Sequence, residues 1–328
     1  MIVVAVVGPT ATGKSDLALD LAQALSTAHA PAEIVNADAY QLYRGMDVGT
    51  AKVPVADRRG VVHHQLDVLD PHQDASVARY QEAARGDLDA IAARGARAVV
   101  VGGSGLYVRA LLDRMDFPGT DPAVRALLEE RAEREGVRTL HAELERLDPQ
   151  AAASIGPRNT RRIVRALEVI AITGRPFTAN LPRQEYVRPA VQLGLDCDRA
   201  ALDARVGSRV EHMWAAGLVA EVRELASPEQ GGTGPGLGTT AARAVGYAEV
   251  LPLLRGEVDE ATVRDQIAAG TRRLARKQMG WFGRDPRVQW LDAAAPDLLD
   301  QAIAVIRAAD AGALAPAAPG PVRRTLGS

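Results

Sequence analysis

Apolar positions change their spacing in a regular way along this chain. It opens on the nearly unbroken apolar run MIVVAVV, and Ile2–Val7 reads as a strand buried on both faces. After Gly13 the spacing turns helical: Ser15 opens a helix carrying Leu17, Leu21 and Leu25 on one stripe. EIVNAD (Glu33–Asp38) is a second short strand ending in a polar turn, and HHQLDV (His63–Val68) is a third candidate. A helix around Ser76–Ala93 leads into ARAVVVGG (Ala96–Gly103), whose continuous apolar run marks a fully buried strand. This alternation of strand and helix signals predicts an α/β fold with a parallel sheet.

From Met115 to Arg188 the pattern becomes helical and rich in arginine and glutamate. Asp121-Pro122 is a helix start with proline at the first helical position, and RNTRRIVRALEVIAITG (Arg158–Gly174) is a second helix closed by glycine. AVQLGLD (Ala190–Asp196) returns to strand character, followed by an amphipathic helix with Leu202, Val206, Val210 and Met213 on one face. The prediction is a discontinuous core, 1–114 and 189–310, with a helical insertion at 115–188. GGTGPGLGTT (Gly231–Thr240) reads as a flexible loop, either a linker or a mobile lid, and the Ala/Pro-rich 311–328 as a disordered tail.

Composition narrows the class. No apolar stretch approaches the ~18–20 residues of a membrane span, and the N-terminus lacks the basic region of a signal peptide. Cys197 is the sole cysteine, which excludes an internal disulfide and fits a reducing, cytoplasmic setting. The net charge of −2 gives no global basic field, so a nucleic-acid partner would be held by local patches. Of 39 basic residues only Lys14, Lys52 and Lys277 are lysines, which suggests specific tasks for them.

The chemistry starts at GPTATGKS: Gly8, Pro9, Thr10, Ala11, Thr12, Gly13, Lys14 and Ser15. Between a strand and a helix, G-x-x-x-x-G-K-S is a phosphate-binding loop. Its backbone N–H groups converge on phosphate oxygens, Lys14 neutralises charge and the Ser15 hydroxyl suits Mg²⁺. Hydrolytic P-loop enzymes carry a further strand ending in a metal-holding Asp, whereas Ala98–Val101 runs into Gly102-Gly103-Ser104-Gly105. A motor or switch is disfavoured, leaving a small-molecule kinase or a transferase that expels diphosphate. His63 and His64 are adjacent on a strand and point to opposite faces, so they do not share one metal.

GPTATGKS, NADAYQLYRGMDVGTAK, HHQLDVLDP, VVVGGSGLYVRAL, RNTRRIVRALEV, AARAVGYAEV and RRLARKQMGWF together, in that order, resemble the tRNA dimethylallyltransferase (IPP transferase) family from Val3 to Trp290. The sequence departs from the family pattern at Ala39, Ser104 and Gly280, and Gly280 puts one tRNA contact in doubt. The resemblance implies a P-loop, nucleotide-kinase-like core with an inserted helical domain. It implies a reaction that moves a dimethylallyl group from dimethylallyl diphosphate to N6 of the tRNA adenine beside the anticodon.

On that resemblance, Lys14, Arg243 and Mg²⁺ at Ser15 stabilise the leaving diphosphate, Asp38 is the general base and Ser104 helps fix it. Asp38, Ala39, Tyr40, Gln41, Ser104, Arg158, Arg161, Arg162, Arg165, Lys277 and Gln278 face tRNA; separately from the resemblance, a monomer is expected. Alternatives stay open residue by residue. Asp38 caps a turn or binds Mg²⁺ through water; Gln41 reads the adenine edge or serves a turn. Tyr40, Tyr43 and Tyr107 line the prenyl channel, stack on bases or pack, and the arginine helix meets phosphate or solvent. A transferase acting on free AMP, a kinase and an RNA-binding module are the rival functions.

Overall fold

The computed structural model describes residues 1–27, 30–180, 184–314 and 326. The chain divides into two compact units, Met1–Leu112 with Tyr186–Ser328, and Asp113–Glu185. The predicted tail lies almost wholly outside the described residues.

The first unit is built on six parallel strands. They are β1 (Val3–Val7), β2 (Ala32–Asn36), β3 (His63–His64), β4 (Arg97–Val101), β5 (Ala190–Asp196) and β6 (Val288–Asp292), in the spatial order β3-β2-β4-β1-β5-β6. Alternation along β1 explains its unbroken apolar run. Val3, Ala5 and Val7 face one buried cluster, which includes Tyr80, Leu88, Val108 and Leu111. Val4 and Val6 face the other, which includes Leu17, Leu21 and Ile306. The first cluster is supplied by α2 (Val77–Ala93) and α3 (Gly105–Leu112), the second by α1 (Lys14–Leu25) and, far downstream, by Leu298–Asp310. With both faces covered, every inward and outward position of the central strand must be apolar.

The predicted third strand is cut to two residues. Gln65 and Asp67 adopt left-handed φ of 58° and 56°, which a strand does not tolerate. Lys52 Nζ holds Asp67 at 2.6 Å, and Asn36 Nδ2 donates to Gln65 O at 2.9 Å, so the chain turns there.

Among the described residues the second unit holds four α-helices where the sequence marks two: α4 (Pro122–Glu135), α5 (Val137–Leu147), α6 (Pro149–Ile155) and α7 (Thr160–Thr173). Leu128, Leu140, Leu144, Ile163 and Leu167 form its core. The fully buried Glu168 sits inside it and accepts from Asp121 N, Arg125 and Arg165. Burial alone would raise the Glu168 pKa, but the two guanidiniums hold it below the usual carboxylate range.

The first unit resumes with α8 (Arg199–Ala215), α9 (Leu218–Leu225), α10 (Tyr247–Leu254) and α11 (Glu260–Phe282), then β6 and α12 (Leu298–Asp310). The predicted flexible loop Gly231–Thr240 is instead strapped down. Thr233, Gly234 and Gly236 donate N–H groups to the carbonyls of Arg223, Ala226 and Leu225 at the end of α9. Glycine permits this approach, since a Cβ at Gly234 would lie 1.8 Å from Glu224 O. The glycine run thus supplies donors to a helix C-terminus that lacks its own. No helix among the described residues is long and apolar enough to cross a membrane.

Candidate functional site

The chain leaves β1 toward β4 and β2 on one side and returns through β5 and β6 on the other, so the C-terminal end of β1 is a topological switch point, where α/β sheets hold ligands. An open cleft of about 1280 Å³ lies there. The phosphate loop forms its floor. Gly8, at φ 130°, lets the loop cross β5 closely, for a Cβ there would sit 2.6 Å from Leu195 O. Thr12 Oγ1 donates to Pro9 O at 2.8 Å, and Gly13, left-handed at φ 85°, starts α1 so that its N-terminal N–H groups meet the cleft. Lys14 Nζ also donates to Pro9 O. Burial, reinforced by the charge of Arg209, pulls the Lys14 pKa down to about 7, and Asp38 opposes the shift.

Asp38 stands on the turn after β2. Asn36 builds that turn: its Oδ1 accepts from Asp38 N at 3.0 Å while its Nδ2 donates to Asp38 O at 3.1 Å. Asp38 Oδ1 accepts from Tyr40 N at 2.9 Å, and its carboxylate lines the cleft. Ser104 does not bond Asp38. Its hydroxyl accepts from Ala39 N at 3.2 Å and so pins the same turn one residue on. Gly102 lets the end of β4 press against Ala37, whose carbonyl would lie 2.3 Å from a Cβ. A carboxylate is thus set opposite an anion-binding loop by a turn that the Asn36 amide and the Ser104 hydroxyl pin through its backbone.

The guanidinium of the cleft comes from a residue the sequence reading did not single out. Arg209 on α8 lines it, with Arg205 one turn earlier. Burial lowers the Arg209 pKa while Asp38 favours its charge. Arg243, expected in that role, is exposed on a short 3-10 turn near Tyr40 and does not line the cleft. Arg205, Arg209 and His212 recur at helical spacing beside the apolar stripe Leu202, Val206, Val210 and Met213, and that second stripe was the available signal.

A model of the IPP transferase family matches residues 41–285. The tRNA dimethylallyltransferase of Bifidobacterium animalis subsp. lactis is 54% identical over 310 residues, covering 94% of this chain and 88% of that one. That of Thermobifida fusca is 56% identical over 304 residues, 93% and 94% of the two chains. The chain belongs to the IPP transferase family. Among solved structures, the tRNA isopentenylpyrophosphate transferase of Bacillus halodurans is similar at a TM-score of 0.68 with 33% identity, over 94% of this chain and 97% of that one. A eukaryotic dimethylallyltransferase acting on tRNA shares the fold, with a TM-score of 0.79 at 24% identity over 94% of this chain and 79% of that one.

The remaining residues marked by the family resemblance sort by environment. Tyr43 and Tyr107 are packed: Tyr43 is fully buried with its hydroxyl accepting from Ala75 N, and Tyr107 rests on Tyr80 with ring centroids 4.7 Å apart. Tyr40 is only partly buried. Gln278 is buried on the cleft wall, where its Oε1 accepts from Thr10 N at 2.8 Å and steadies the phosphate loop. Lys277 beside it is exposed, as are Arg158, Arg161 and Arg162 in the second unit.

Arg165 is committed to the interior of its own unit, donating to Glu168 and to the carbonyls of Pro118 and Gly119. Lys52 is structural as well, its buried ammonium donating to Tyr43 O, Asp47 and Asp67. Among the described residues no cluster of His, Cys, Asp and Glu could hold a metal unaided. Ser15, at the start of α1 and on the cleft wall, fits the one protein ligand that Mg²⁺ needs when phosphate oxygens and water supply the rest.

Proposed function

We propose that the protein transfers a dimethylallyl group from dimethylallyl diphosphate to N6 of the adenine beside the anticodon of tRNA, releasing diphosphate. The observation that carries this reading is the meeting of one carboxylate, Asp38, with the loop of Lys14 and with Arg209 in a single cleft. The bond between the allylic carbon and the diphosphate oxygen breaks, the oxygen keeps the electron pair, and the carbon accepts the N6 lone pair. Charge grows on the leaving group, where the loop N–H groups, Lys14 and Arg209 stand ready. Mg²⁺ held at Ser15 would add further neutralisation of the diphosphate.

The adenine amine is a poor nucleophile because its lone pair is delocalised into the ring. Asp38 accepts an N6–H bond, orients the amine and takes the proton as the carbon–nitrogen bond forms. The base must leave the loop stack to reach Asp38, as in other base-modifying enzymes. Exposed Arg158, Arg161, Arg162 and Lys277 are offered to RNA phosphates, which position without reading sequence. We further propose that the enzyme works as a monomer in the cytoplasm.

The test uses the purified protein with labelled dimethylallyl diphosphate and either unmodified tRNA or AMP, with ATP consumption followed in parallel. Label entering tRNA and not AMP is expected. Label in AMP, or ATP turnover without prenyl transfer, would overturn the reading.

A further inference from the structure

Gln41 lines the cleft close to the Asp38 turn, and the orientation of its amide is forced. Its Nε2 donates to Thr50 O at 3.1 Å and Ala51 O at 3.4 Å. Carbonyls only accept, so the nitrogen must face them, and Oε1 is the end left for a ligand. What remains for an adenine is an acceptor for the N6–H, rather than the bidentate edge contact of a free glutamine.

That orientation is only as good as the loop that carries the two carbonyls, which Lys52 holds through Asp47 and Glu221 holds through backbone N–H groups. Glu221 on α9 accepts from three successive backbone donors: Asp47 N at 2.9 Å, Val48 N at 2.7 Å and Gly49 N at 3.1 Å. Tyr247 OH donates to the same carboxylate at 2.5 Å. Tyr247 is fully buried; burial and then the Glu221 charge raise its pKa, so it stays a donor at any working pH. Gly49 is required here, because a Cβ would come within 2.4 Å of the Tyr247 ring. Glu221 itself does not line the cleft.

We propose that Glu221 is a positioning residue. By gathering the N–H groups of residues 47–49 it fixes the Thr50 and Ala51 carbonyls, and through them turns Gln41 Oε1 toward the amine of the target adenine. This rests on the reading of Gln41 as a contact to that base.

The test is a double-mutant cycle between Glu221→Gln and Gln41→Ala, read as kcat/KM for tRNA, KM for the donor and the thermal midpoint. Gln41→Ala should lower kcat/KM for tRNA roughly tenfold, the worth of one hydrogen bond. Glu221→Gln should give most of that loss, leave the donor KM unchanged, and add nothing when Gln41 is already alanine. Tyr247→Phe, which removes one of the four donors and keeps the ring, should show a smaller loss with the same pattern and stands in if the Glu221 variant folds poorly.

Independent, multiplying effects of the two substitutions would overturn the proposal while leaving Gln41 as a base contact. A loss borne by the donor KM, or a lowered midpoint with unchanged tRNA kinetics, would overturn it too by making Glu221 merely structural. A Gln41→Ala enzyme with normal tRNA kinetics would sink the Gln41 reading and the proposal with it.

Discussion

At the scale of single residues the account rests on Asp38 and Lys14. Asp38→Asn keeps the shape and the turn, because Oδ1 still accepts from Tyr40 N, and removes the base. Turnover should fall by about 10² to 10⁴, the usual worth of base catalysis, with donor and tRNA affinities little changed. Rescue by raised Mg²⁺ would instead make Asp38 a metal organiser. Lys14 makes a pH prediction whose sign is fixed by its environment. With its pKa lowered to about 7, the free enzyme carries the charge below that pH and loses it above. Since diphosphate binding needs the cation, kcat/KM for the donor should be level below about pH 7 and fall as pH rises past it. Lys14→Met should lower the whole profile and remove that descending limb, while tRNA binding stays nearly intact. A descending limb kept by the Met variant would assign it to another group.

At the scale of elements, α7 separates charge that serves RNA from charge that serves folding. Arg161 and Arg162 are exposed, so replacing both with alanine should weaken tRNA binding and reduce the slope of affinity against salt by roughly two counterions. Arg165→Ala should leave that slope alone and lower stability by about 1–2 kcal/mol. That is less than the usual cost of breaking a buried pair, because Arg125 still answers Glu168. The Glu168 pKa is lowered by folding, so its contribution is complete above pH 4.5 and fades as pH falls below that. A fluorescence unfolding series at pH 7 and pH 3 checks both statements.

The regular strands were legible because burial on both faces leaves a continuous apolar run, as in VVAVV and RAVVV. Elements fixed by distant partners were not. β6 has one neighbouring strand and half-buried Gln289 and Trp290 between its buried Val288 and Leu291, and the 231–240 loop takes its rigidity from α9. In the site, the loop and Asp38 stood out by local motif and strand end. Arg209 did not, because its place in the cleft follows from how α8 packs rather than from its neighbours in sequence.

At the scale of the molecule, the cleft is assembled from segments far apart in sequence: the loop after β1, the turn after β2, the 41–52 loop, α8 and α11. A parallel sheet delivers strand ends to one edge, and the switch point at β1 opens the space between the two halves of the chain. The central claim is that this space holds a diphosphate that departs, not a phosphoryl group that moves. A donor labelled with carbon in the prenyl group and phosphorus in the diphosphate tests it directly, mixed with unmodified tRNA and followed by nucleoside analysis. The account predicts carbon label on adenine N6 and phosphorus label released as intact diphosphate, mole for mole, both suppressed by Lys14→Ala. Phosphorus label on the acceptor, or its release as single phosphate, would contradict it.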